Sequence, residues 1–147
     1  MFKNLHASWL EAVDNFKYEL EKDVACDDPS ALTQKMQAKI QETEQLIRKL
    51  RIDIQHSVVQ TEKETEEISN CRRRKQLAID IGDQETIGIA GDYLVRHERS
   101  RKIFEQKTTA LQNELSMREE QLQFMCEMLK KAQLQQTETN ENQNLDE

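Results

Sequence analysis

Apolar residues recur in steps of three and four along most of this chain. Phe2, Leu5, Trp9, Val13, Phe16 and Leu20 form one such series, with Lys3, Asn4, Glu11, Asp14, Lys17 and Glu19 on the other side. That spacing places the apolar set on one stripe and predicts an amphipathic helix over residues 1–26. A second series runs through Met36, Ile40, Thr43, Ile47, Leu50 and Ile54, then weakens into Ser57 or Val58, Thr61, Thr65 and Ile68. A third runs without a fault through Leu94, His97, Arg101, Phe104, Thr108, Leu111, Leu115, Arg118, Leu122, Met125, Leu129 and Ala132. Alternating steps of this kind make a heptad seam, so the second and third segments are expected to wind around each other.

The breakers divide these series. The only proline is Pro29, and Gly82, Gly88 and Gly91 are the only glycines. Proline fits the first position of a helix but not its interior, and Asp28 before it is a suitable cap. Gly82 supplies the backbone freedom that ends a helix, and Asp83 can cap the next one. The expected fold class is therefore all-α: an N-terminal amphipathic helix plus a long antiparallel coiled-coil helical hairpin over 29–132. Its turn is expected near 82–86. Gly88 and Gly91 suggest either close approach of the two backbones above the turn or a looser connection. Beyond Ala132 the chain turns to Gln, Asn, Thr and Glu, which predicts a disordered acidic and polar tail over 133–147.

Composition narrows the function. Of 147 residues, 36% are hydrophobic, 5% aromatic and 33% charged. Such a chain is poor in globular core and suits a coil that buries one narrow stripe per helix. A hairpin buries groups along a seam and leaves no pocket that excludes water, so catalysis is not expected. The three histidines, His6, His56 and His97, fall in three different segments. Cys26, Cys71 and Cys126 match no metal-ligand spacing. No metal or cofactor is expected. No apolar run approaches the ~20 residues that span a bilayer, and the first residues lack a secretory h-region. The expected compartment is the reducing cytoplasm.

Charge is uneven. Between Arg72 and Lys102 lie eight Lys/Arg and five Asp/Glu, a net +3, so the remainder carries −10 of the total −7. Antiparallel folding brings Arg72, Arg73, Arg74 and Lys75 near Arg96, Arg99, Arg101 and Lys102, on either side of Gly82. This basic hairpin end is a candidate surface for the acidic flanks of neighbouring subunits or for anionic lipid. Nucleic acid is a poorer fit, because no aromatic residues interleave the basic ones and the whole chain repels phosphate. The N-terminal stripe Phe2, Leu5, Trp9, Val13 and Phe16 has two uses open to it. It could pack on its own hairpin, as in a soluble scaffold or adaptor, or enter the headgroup boundary of a membrane.

The leading helix, the Asp27-Asp28-Pro29 junction, the arm from Leu32 to Ile81 and the turn Gly82-Asp83-Gln84-Glu85 together resemble the phage shock protein A family. These are membrane-remodelling proteins grouped with the ESCRT-III superfamily. The resemblance spans about residues 1–132 and is architectural. It implies a leading helix that binds stressed membrane, a hairpin that self-associates into a homo-oligomer, and a peripheral place at the inner face of the cell membrane.

Overall fold

The computed structural model describes residues 14, 15, 18 and 29–143. Asp14, Asn15 and Tyr18 are helical and exposed. Two long helices account for the rest: α1, Pro29–Ile81, of 53 residues, and α2, Gln84–Gln143, of 60 residues. Pro29 opens α1, where its missing amide costs nothing because the first helical amides have no internal partner. The five apolar positions Phe2, Leu5, Trp9, Val13 and Phe16 lie outside the described residues.

α1 presents one uninterrupted heptad stripe. Met36, Ile40, Thr43, Ile47, Leu50, Ser57, Ile68, Cys71 and Ala78 are all buried, with Ile54, Thr61, Glu64 and Lys75 half-buried between them. The weak stretch was expected to run through Ser57 or Val58, Thr61 and Thr65; the structure takes Ser57 and Thr61, and Glu64 replaces Thr65 on the stripe. Ser57 is only 3% exposed, whereas Thr65 lies on the surface and bonds back to the Thr61 carbonyl of its own turn. On α2 the expected seam positions from Leu94 to Ala132 are all buried or half-buried, and Ala90 extends the stripe toward the turn.

The chain divides into two compact units, each built from a piece of both helices. The unit holding 29–48 and 115–143 centres on Ile40 and Met125, with Leu122, Phe124, Met128 and Leu129 packed around them. Met125 is 1% exposed. Gln136 donates its side-chain amide to the Thr33 hydroxyl at 3.0 Å, well past Ala132. α2 therefore runs as helix through 133–143, most of the stretch expected to be disordered. No glycine or proline follows Gly91 to stop it, and Gln and Glu are good helix formers. Thr137 and Thr139 also return their hydroxyls to the carbonyls of Gln133 and Gln135.

The unit formed by 49–114 contains the turn. Here the two helices are antiparallel and polar contacts cross the seam. Ser57 Oγ donates to the Phe104 carbonyl at 3.0 Å, and Thr108 Oγ1 donates to Ser57 Oγ at 2.9 Å. One heptad nearer the turn, His97 Nδ1 and Glu64 Oε2 are 2.6 Å apart. A carboxylate only accepts, so Nδ1 supplies the hydrogen. Slipping the pairing by a heptad would strand the buried Ser57 hydroxyl and separate this pair, at about 1–3 kcal/mol for each unpaired buried group. The polar contacts thus set a register that Thr and Ser side chains could not set by volume.

The glycines fall into two kinds. Gly82 has φ +72°, a left-handed conformation that costs an L-residue about 1–2 kcal/mol. Gly88 and Gly91 are helical, and neither marks a close approach of backbones. A Cβ at Gly88 would meet nothing within 4 Å, and one at Gly91 would meet only the tip of Lys75, at 3.8 Å. The two substitutions Gly82→Ala and Gly88→Ala should therefore move stability in opposite directions. The first is expected to lower it by about 1–2 kcal/mol, and the second to raise it by about 0.5–1 kcal/mol, in urea unfolding followed by circular dichroism.

Candidate interaction surface at the hairpin turn

Both ends of the turn are capped. The amide of Gly82 bonds to the Ile79 carbonyl at 3.1 Å and that of Asp83 to the Ala78 carbonyl at 2.9 Å. This pair of bonds, with Gly82 left-handed, satisfies two of the last four carbonyls of α1 as a Schellman cap. Asp83 then starts α2. Its Oδ1 accepts the Thr86 amide at 3.1 Å, its Oδ2 accepts the Thr86 hydroxyl at 2.6 Å, and its carbonyl accepts the Ile87 amide. The Thr86 hydroxyl, and after it the Thr86 amide, hold the Asp83 carboxyl below its ordinary pKa.

Away from this turn the basic residues take different places. Arg73, Arg74, Arg96 and Arg99 are exposed. Arg72 is exposed too, but crosses to Glu98 with its Nη2 3.0 Å from Oε1. Lys75 and Arg101 occupy seam positions and are half-buried. Arg101 Nε lies 3.6 Å from Glu105 Oε1, and this buried nitrogen makes no hydrogen bond. Of the nine residues named for the hairpin end, Gly82 builds the turn, and Lys75 and Arg101 belong to the helix contact. The others form a collar about two to five helical turns from Gly82.

Between collar and turn lies a feature that charge counting overlooks. Leu77, Ile79 and Ile81 of α1 and Ile89, Tyr93 and Val95 of α2 are exposed, Ile81 to 80%. None of them sits at a seam position, and that mismatch with the heptad was their signal in the sequence. Tyr93 is ordered by its neighbours: its ring stacks on His97 with centroids 6.4 Å apart, and the Arg96 guanidinium lies 5.7 Å from its centroid. Ile89, Ala90, Tyr93 and His97 of α2, with Cys71 and Arg74 of α1, wall an open groove of about 450 Å³ on this flank. Cys71 is buried in the seam, so its thiol is not a surface group.

Apolar side chains, an ordered aromatic ring and the Arg74 guanidinium, with Glu67 beside them, around an open groove are the elements of a docking surface. Among the described residues no group of three or more His, Cys, Asp and Glu is placed to hold a metal. Among them, too, no helix is long and apolar enough to cross a membrane. No family model matches this chain, and neither a curated protein nor a solved structure matches it.

The Asp83 cap carries a pH dependence of known sign. Its folded pKa is depressed, so its contribution is present above the ordinary carboxylate range and is lost as pH falls through the folded value. Asp83→Asn keeps only one acceptor oxygen for the two Thr86 donors and removes the titration. The variant should be less stable than the parent near pH 7, with the gap closing in acid. Urea midpoints measured from pH 7 to pH 2 decide this, and a gap independent of pH would exclude the cap as its source.

Proposed function

We propose that this chain is a non-enzymatic, peripheral membrane-associated coiled-coil protein of the kind its sequence resembles, the phage shock protein A type. It binds stressed or curved membrane through Phe2, Leu5, Trp9, Val13 and Phe16, and it self-associates through the helical hairpin. What supports this is that α1 and α2 bury their heptad stripes on each other, with Ile40 against Met125 as one centre. The N-terminal stripe holds Phe2, Trp9 and Phe16 of the chain's seven aromatic residues. Aromatic side chains on an amphipathic helix suit the headgroup boundary. With Lys3 and Lys17 outnumbered by Glu11, Asp14 and Glu19, apolar burial drives binding more than charge does. The work is done on the cytoplasmic side, at the inner face of the cell membrane, with no cofactor.

Trp9 is the only tryptophan and reports on this directly. Adding small anionic liposomes should shift its emission to the blue and carry the protein into the pellet. Phe2→Glu with Trp9→Glu should abolish pelleting and leave the helical circular dichroism of the hairpin intact. A Trp9 emission already blue in free protein and unmoved by liposomes would instead make the chain a soluble scaffold with the first helix packed on the hairpin.

A further inference from the structure

On α2 the residues Glu85, Ile89, Tyr93 and Arg96 follow one another in steps of four, four and three, so they share one stripe. All four are exposed. The order along the stripe is acid, apolar, aromatic, base, reading away from the turn. We propose that this flank docks against the same flank of a second copy running antiparallel to it. Glu85 of each chain then faces Arg96 of the other, and Ile89 faces Tyr93. The inference deepens the self-association half of the function proposed above and does not depend on the membrane half.

Spacing and charge carry it. Glu85 and Arg96 are eleven positions apart, about 16 Å along a helix, and reversal about their midpoint brings Tyr93 to within one residue, about 1.5 Å, of the level of Ile89. Reversing one copy about that midpoint places opposite charges together at both ends and the apolar pair at the centre. Aligning the copies in parallel would set acid on acid and base on base. On α1 the exposed Ile81, Leu77 and Arg74 repeat the order of apolar residues near the turn and a cation beyond them.

The same polarity holds for the whole end of the hairpin. From Leu77 to Val95 there are four carboxylates and no Lys or Arg, a net −4. The flanking segments 72–75 and 96–102 carry +4 and +3. An anionic bilayer meeting this end would attract the collar but repel the carboxylates of Asp80, Asp83, Glu85 and Asp92 that must enter first. A purely acidic protein partner meets the same conflict. A second copy, turned end for end, satisfies both tiers, and such self-complementarity is what a two-fold interface requires.

A charge-reversal cycle on the full chain tests this, read by sedimentation equilibrium over a concentration series with helix content checked by circular dichroism. The parent should approach twice its 17.3 kDa mass, less so as salt screens the pairs. Glu85→Lys alone and Arg96→Glu alone each place two like-charge contacts in the homodimer and should weaken it on the order of tenfold. Mixing the two variants restores opposite charges at both ends, so the mixture should associate within about threefold of the parent. A parent that stays monomeric, or a mixture no tighter than either variant alone, overturns the proposal. So does a parent that is monomeric yet pellets with anionic liposomes in a Glu85-dependent way, which would make the end a lipid contact. Repeating the cycle with Phe2→Glu and Trp9→Glu separates the two claims: lost pelleting with an intact cycle bears on the membrane only.

Discussion

Everything described here depends on one constraint, that each helix must bury a stripe only two residues wide per heptad. α1 and α2 do this for each other along the seam. The seam itself is thin in apolar mass. Thr43, Ser57, Thr61 and Glu64 occupy positions where a tighter coil would place Leu or Ile.

That thinness explains why polar contacts matter beyond their modest energy. Isoleucine and methionine along a uniform stripe would pack nearly as well one heptad away. The Ser57–Thr108 and Glu64–His97 contacts are geometrically specific and tolerate no such slip. They are placed near the middle of the unit that carries the turn, where a shift would be felt at both of its ends. Opposite them in kind stands the turn, whose specificity comes from backbone: a left-handed Gly82 and a doubly bonded Asp83 leave only two residues between the helices.

With the helices aligned, the residues left off the seam acquire meaning. Leu77, Ile81, Ile89 and Tyr93 are not errors in a heptad pattern but a surface of their own, bounded by Arg74 and Arg96. Their exposure so close to a rigid turn gives the hairpin a distinctive end. The charge gradient from the carboxylates of the turn to the cationic collar gives that end a direction, which a scattered set of surface ion pairs would lack.

Much of this was legible from the residues alone. Steps of three and four placed both helices, Pro29 and Gly82 bounded the first, and Gly82 with Asp83 located the turn, because these are local effects of backbone geometry and side-chain periodicity. The helix over 133–143 was not legible, since apolar periodicity fades there while helix propensity and the Gln136–Thr33 contact do not. Nor was the weak stretch: Ser57 and Val58 were equal choices and Thr65 was expected on the stripe, whereas Phe104, Thr108 and His97 of the partner helix meet Ser57 and Glu64. Gly88 and Gly91 looked like a packing device and proved open. The sequence by itself determined the two long helices over 29–81 and 84–132 and where the chain reverses. Only the tertiary structure decided which polar groups meet across the seam and which apolar groups are left in water, because both depend on a register that no single helix contains.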